Sequence, residues 1–348
     1  MNILSLHGKT WTQLEKWRRQ LPHALLLTGQ QGIGKFDLAM NFVHYLICEN
    51  AASLQHACGS CLSCGWLAQG NHPDFRLIQP EALAENGEET KGNSSSKKPS
   101  QQITIDQIRA LDDFLHIGTH RQGLRIVLIH PAEAMNRSTA NSLLKSLEEP
   151  SINTLFVLVS SDKDRLLPTI RSRCQQLFVP VPEYDCSTAW LTAKGIENAG
   201  HWLALAGGSP MLATGLALGD EYSVVNILTG ELAKGTELDP LSAAISVDQA
   251  IKKVKSPIPL KRWVEWGQKW LVDLTRVRVG QKPRYFLAEE DALQKLAETT
   301  CLTGMLAFGR KALQYQRQSE QPLNSRLFFE DFFLSYMTLF RAVKNGNR

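Results

Sequence analysis

The sequence predicts an α/β fold with a parallel sheet, followed by a largely helical C-terminal part. Three observations predict it. Ile126 to Ile129 and Leu155 to Val159 are continuous, β-branched apolar runs, which suit strands buried on both faces of a parallel sheet. Between them Ala140, Leu143, Leu144 and Leu147 recur at helical spacing, so strand, helix and strand make a βαβ unit. From Tyr222 to Arg348 the apolar pattern is mostly helical.

A chain of 348 residues is long enough for two or three domains and an ample core. Hydrophobic residues at 43% and charged residues at 21% are those of a soluble globular protein. The net charge of +4 permits contact with nucleic acid without arguing for it. Met1 to Lys9 has no basic segment leading into a long apolar core, and no apolar run approaches the ~18 residues of a membrane span. The expectation is a cytoplasmic protein with no membrane partner. Seven cysteines is an odd number, and four of them cluster, which favours a metal over disulfides.

Trp11 to Arg19 reads as a short amphipathic helix and Leu21 to Thr28 as a buried strand. The strand runs into Gly29-Gln-Gln-Gly-Ile-Gly-Lys35, and a helix is expected from Phe36 to Cys48. Strand, glycine loop and helix is the setting of a phosphate-binding loop. Gly29, Gly32 and Gly34 would let backbone N–H groups face a phosphate, and Lys35 would reach the outer phosphates. Such loops follow the lysine with Ser or Thr to hold magnesium, and here Phe36 stands there. Hydrolysis is therefore not expected. Weak ATP binding and a glycine turn kept for shape both remain open.

Cys58-Gly-Ser-Cys-Leu-Ser-Cys64 gives two overlapping C-x2-C hooks, and Cys48 ends the preceding helix. Cys48, Cys58, Cys61 and Cys64 suit tetrahedral Zn²⁺, and a site closed by four thiolates is structural. The bland alternative is four free buried cysteines. A DNA-reading finger lacks support, because its histidine pair is absent. His56 and His72 are expected as ordinary surface or loop histidines.

His72-Pro-Asp74 reads as a turn and Phe75 to Ile78 as a strand. Residues 81–101, rich in Glu, Gly, Asn, Ser and Lys, read as a mobile surface loop. Ile105, Ile108, Leu111 and Leu115 mark a helix. Pro150 ends the helix before Leu155. Gln175 to Pro180 is the last expected strand, and Val181-Pro-Glu183 a linker. Trp263, Trp266 and Trp270 fall on one helical face, read as core in preference to a ligand box. Apolar and aromatic residues from Leu327 to Phe340 load one last helix around much of its circumference.

Leu143-Leu-Lys-Ser-Leu-Glu-Glu-Pro150 and Ser172-Arg-Cys174 together resemble the paired motifs of bacterial DNA polymerase III clamp-loader subunits of the AAA+ class. Cys48 to Cys64 resembles the zinc module of that family. The resemblance implies an AAA+ P-loop core over residues 1–180 with the zinc module at 48–64, a small helical lid over 181–220 and an all-α collar domain over 221–348. It implies that Arg173 acts as an arginine finger in a neighbouring subunit's ATP site. Active members end the second core strand with adjacent Asp and Glu; this chain has His130-Pro131, with Glu133 off the strand end. Ser160 and Ser161 stand where the family places a γ-phosphate sensor, or are simple caps. Gly208-Ser209 is followed by Pro210-Met211, so the family's second sensor arginine is missing. The resemblance thus implies a non-catalytic stator subunit that helps load the sliding clamp on primer-template DNA, with ATPase (gamma/tau) and delta subunits as partners. Two rival classes are an active ATPase subunit of the same loader and a stand-alone zinc-dependent nucleic-acid-binding protein.

Overall fold

The computed structural model describes residues 3–51, 56–83, 99–116, 123–254, 258–319, 321 and 323–341. The chain divides into two compact units, Met1–Cys186 and Ser187–Arg348.

The first unit is built on a five-stranded sheet. Its strands are β1 (Ala24–Thr28), β2 (Phe75–Ile78), β3 (Arg125–Ile129), β4 (Thr154–Ser160) and β5 (Gln175–Phe178), in the order β2-β3-β4-β1-β5. All pairings are parallel, with Leu26 opposite both Leu158 and Gln176. The helices of this unit are α1 (Gly8–Trp17), α2 (Lys35–Ile47), α3 (Leu62–Ala68), α4 (Ile105–His116), α5 (Arg137–Glu148) and α6 (Pro168–Arg171). Side chains alternate across the pleat and feed two cores. Leu25, Leu27, Val157 and Val159 join Leu14, Leu38, Phe42 and Leu67 on one face. Leu26, Val127, Phe156 and Leu158 join Ile108, Leu111, Leu143 and Leu147 on the other. Each such side chain taken out of water contributes about 1.5–3 kcal/mol. That is why the central strands read as unbroken apolar runs.

Several boundaries differ from the sequence expectation. β1 begins at Ala24, past Pro22, which has no N–H to give a ladder. α1 begins at Gly8, ahead of Trp11. Residues 84–98 of the expected mobile loop lie outside the described residues. Its two ends are tied: Ser100 N donates to the Glu81 carboxylate at 3.1 Å, and Ala82 N to the Ser100 carbonyl at 3.0 Å.

α7 (Tyr184–Ala193) straddles the division. The second unit continues with α8 (Ala199–Leu205), α9 (Pro210–Leu218), α10 (Glu221–Ala233), α11 (Pro240–Lys253), α12 (Leu260–Arg278), α13 (Glu290–Thr299), α14 (Leu302–Gln318), α15 (Ser325–Tyr336) and α16 (Thr338–Arg341). Trp263, Trp266 and Trp270 of α12 are all buried. Trp263 meets the Phe329 and Phe332 rings at 4.7 and 4.4 Å. Trp270 Nε1 donates to Tyr336 Oη at 3.1 Å, which donates to the Leu232 carbonyl at 3.0 Å. Gly267 makes this packing possible, because a Cβ there would lie 2.7 Å from the Phe332 ring. The expected single last helix is instead two, broken at Met337. The Thr338 hydroxyl donates to the Ser335 carbonyl at 2.6 Å beside the break, a local bond that competes with the helical ladder. Leu327 also faces outward, 62% exposed.

Candidate functional site

Parallel α/β sheets place their loops for ligands at the carboxyl ends of the strands. The glycine loop leaves β1 at that edge. Gly32 and Gly34 have φ of 75° and 87°, a left-handed conformation that glycine adopts without penalty. Gly29 is forced by closeness: a Cβ there would lie 2.4 Å from the Val179 carbonyl oxygen. Gly34 then caps the N-terminus of α2, whose free N–H groups and dipole favour an anion.

Lys35 is buried and turned inward. Its Nζ donates to the Gln30 carbonyl at 2.6 Å and to Ser161 Oγ at 3.0 Å. Burial lowers its pKa to about 8, opposed by the Glu133 carboxylate. The lysine thus spans from the loop's own backbone to the end of β4. Glu133 Oε1 accepts from Ser161 N at 2.9 Å. The sequence places Glu133 off the strand end, but a short 3₁₀ turn over Ala132–Ala134 carries its carboxylate back to β4 and Lys35. The two serines divide their roles. Ser160 Oγ accepts from Asp162 N at 3.1 Å and shapes a turn, whereas Ser161 meets Lys35.

Phe36 and His130 occupy the two positions from which a P-loop NTPase holds magnesium, after the loop lysine and at the end of β3. Their rings stack with centroids 4.7 Å apart and planes 23° from parallel. Burial lowers the His130 pKa to about 4, with the nearby Lys35 charge pushing the same way. His7, which no motif had flagged, hydrogen-bonds through Nε2 to the Ile33 carbonyl at 2.6 Å and holds the loop from outside.

Arg173 lies elsewhere. It lies two residues before β5, so it stands at the amino end of a parallel sheet whose carboxyl end carries Lys35. Four to five strand residues at ~3.3 Å each separate those edges by roughly 15 Å. Arg173 Nη2 lies 2.6 Å from Glu148 Oε1 at the end of α5, and Nη1 donates to the Thr169 carbonyl at 3.0 Å. Cys174 beside it is buried, and burial pushes its thiol up to about 12. In the second unit Ser209 is fully buried ahead of Pro210, the first residue of α9.

The four cysteines converge. The Sγ atoms of Cys48, Cys58, Cys61 and Cys64 all lie within 4.8 Å of one another. Around a tetrahedral ion with ~2.3 Å metal–sulfur bonds the sulfurs would be about 3.8 Å apart. Cys48 caps the end of α2, Cys61 caps the start of α3, and Cys64 sits in the first turn. Backbone amides aim at the sulfurs: Cys58 N at Cys48 (3.2 Å), Cys61 N at Cys58 (3.4 Å) and Cys64 N at Cys61 (3.4 Å). Amides of Ser60 and Cys61 hold Cys58 down to about 5, while burial pushes Cys64 up to about 12. Four such donors can hold a metal ion, whose charge would make all four thiolates. His72 lies in a loop, one of the two expected settings, but not at the surface. It is buried, its Nδ1 accepts from Asp74 N at 3.1 Å, and its ring meets Trp66 edge-on at 6.0 Å. His56 is exposed.

A parallel sheet in this order, with a glycine loop after its first strand, defines an AAA+-type core, and two rings stand where such a core places its magnesium ligands. The family model described as "DNA polymerase III, delta subunit" matches residues 8–182, just over half of the chain. The chain belongs to that family. It is similar to proteins named DNA polymerase III subunit delta': 42% identical to that of Pseudomonas aeruginosa over 58% of each chain. It is 30% identical to that of Escherichia coli over 66% of this chain and 65% of the relative. It is 27% identical to that of Yersinia pestis over 91% and 89%. The first two matches span less than two thirds of those relatives.

Proposed function

We propose that this chain is a non-catalytic, delta-prime-type stator subunit of a DNA polymerase III clamp loader. In this reading it hydrolyses no ATP itself and works in the bacterial cytoplasm beside gamma/tau ATPase subunits and a delta subunit. The assembly sets a sliding clamp on primer-template DNA. Residues 1–180 form the AAA+ core, 181–220 a lid and 221–348 a collar that joins subunits.

The observation that carries this reading is the Phe36–His130 stack, which fills the magnesium positions with carbon and a neutral imidazole. Without the metal, a γ-phosphate has neither charge neutralisation nor an oriented leaving group. Lys35 bonded to Gln30 and Ser161 points the same way, since the loop's cation is spent internally. Gly29, Gly32, Gly34 and Lys35 retain the shape of a phosphate cradle, so weak magnesium-free nucleotide binding is compatible with it.

Arg173 supports a role in trans. It stands at the opposite sheet edge from its own loop, the placement expected of an arginine that serves another subunit's phosphates. There it would stabilise charge on the transferring phosphoryl group. The four cysteines take Zn²⁺, a structural ion that ties α2 to α3.

The test is ATP hydrolysis by the purified chain, alone and with its ATPase and delta partners. No turnover is expected alone. In the assembly, Arg173→Ala should leave assembly intact and slow the adjoining site by about 10³-fold or more. Turnover by the isolated chain that is lost in Lys35→Ala would make it a motor subunit.

A further inference from the structure

α12 and α14 of the second unit run antiparallel. Gln268 Nε2 donates to the Ala312 carbonyl at 3.2 Å at one end, and Thr275 Oγ1 meets Met305 Sδ at 3.8 Å at the other. Between them lies an open cavity of about 740 Å³. Leu271 and Met305 form its floor. Gly309 keeps it deep, because a Cβ there would already touch Leu271 Cδ2 at 3.6 Å. Leu302, Leu306 and Leu313 wall it at i, i+4 and i+11, and they are 51%, 69% and 59% exposed. Exposed leucines scattered singly need no explanation, but three on one helical stripe facing one groove form a patch.

The charge around this groove has one sign. Arg276 and Arg310 stand at its rim. α14 carries Arg310, Lys311 and Arg317 and no Asp or Glu. Lys311 is turned toward Asp331 of α15, 3.6 Å away. On α12 the nearest carboxylate, Asp273, is fully buried and accepts the amides of Arg284, Tyr285 and Phe286 at 2.7–2.8 Å, so it offers the groove nothing. Arg278 at the end of α12 and Lys282 and Arg284 on the turn that follows are exposed.

We propose that this groove receives an amphipathic helix of a partner protein, its apolar stripe on the leucines and its Asp or Glu residues facing Arg276 and Arg310. A helix suits the site because Leu302, Leu306 and Leu313 already present the ridge spacing that helix pairs interdigitate. An acidic partner suits it because every exposed charge at the rim is positive. The chain's own end does not fit: residues 342–348, Ala-Val-Lys-Asn-Gly-Asn-Arg, hold two cations and no acid. The groove lies within residues 221–348, the stretch proposed above to join subunits, so the inference deepens that reading and rests on it for the kind of partner; the peptide test reads the groove itself whether or not the assembly forms.

The test uses the full chain and a fluorescein-labelled helical peptide of about 16 residues, four turns or more. The peptide has Leu at i, i+4, i+7 and i+11 and Glu on both flanks. A Lys-flanked peptide and a scrambled one serve as controls, and binding is read by anisotropy. The acidic peptide should bind saturably and roughly tenfold or more tighter than either control. Leu306→Gln should weaken it by a similar factor. Arg310→Glu should shift the preference toward the Lys-flanked peptide, which lost packing alone would not do. Both residues are exposed, so unchanged melting keeps the variants interpretable. Equal binding of all three peptides, no saturation below about 1 mM, or variants without effect would overturn the proposal. So would sedimentation showing a dimer of this chain that Leu306→Gln abolishes, since the occupant would then be a second copy.

Discussion

Phe36 stacks on His130 at 4.7 Å, so the last position of the glycine loop and the first position beyond β3 are in direct contact. In a working P-loop those two positions do not touch each other; they share an ion. Here an aromatic contact replaces an ionic one, and each ring excludes water from the other. The replacement is joint: a threonine introduced alone in place of Phe36 would face an imidazole, and an aspartate introduced alone in place of His130 would face a phenyl ring.

Restoring either residue by itself should therefore restore nothing. Phe36→Thr and His130→Asp singly should show no magnesium dependence in binding a fluorescent ATP analogue. The double variant should acquire it. If Phe36→Thr alone suffices, the stack is not what blocks the metal.

The same pair predicts a pH dependence. His130 is held at about 4 by burial, then by Lys35, partly offset by a hydrogen bond with the Val159 backbone. An unfolded histidine titrates near 6.5. Between those values the unfolded chain binds the extra proton, so stability is fully present above ~6.5 and falls as the pH drops toward 4. The loss is on the order of 2 kcal/mol for this residue, discounting for its partial exposure. Urea unfolding at pH 7 and 4.5 should show it, and His130→Gln should flatten the slope. His7 and His44, also lowered by burial, keep the slope above zero. An unchanged slope in the variant would place the histidine in water.

Metal removal is the third test. If the four thiolates hold an ion, its binding free energy is folding free energy. Cys61→Ser or a strong chelator should lower the melting temperature and release about one equivalent of zinc per chain. A chain that is metal-free as purified and equally stable would leave the cluster as free thiols.

Glu148 tests how Arg173 is held. The pair is partly exposed, so Glu148→Gln should change stability by less than about 1 kcal/mol. If Glu148 merely parks the arginine until a neighbour arrives, ATP turnover by the assembly should be maintained in that variant. A fall as deep as in Arg173→Ala would instead make Glu148 the group that aims it.

The strands were legible because burial on both faces leaves an unbroken apolar run, as at Leu155 to Val159. The cysteine cluster was legible because metal spacing is written locally. The departure from a phosphate-loop pattern was legible as two residues, Phe36 and His130, but their contact was not, because nothing in sequence brings residues 36 and 130 together except the sheet order. Glu133 was legible only as a carboxylate off the strand end with a shifted role left possible, because a 3₁₀ turn, not strand periodicity, decides where that carboxylate goes. His72 was legible as a loop histidine, but its burial was not, because it depends on Trp66 and the Asp74 amide, both set by turn geometry. Nothing in sequence singles out Asp273, and only the path of residues 284–286 shows that its carboxylate anchors three amides. The break at Met337 has no signal in the apolar pattern, which runs through it.

One strand's length separates Lys35 from Arg173, and that distance has an evolutionary meaning. Substitutions at the carboxyl edge of the sheet can dismantle a nucleotide site without disturbing a single contact of the guanidinium at the other edge. If Arg173 serves a neighbouring subunit, receiving a phosphate and reaching for a neighbour's are separately heritable traits on such a scaffold. A gene copy can lose the first by drift and still be kept by selection for the second.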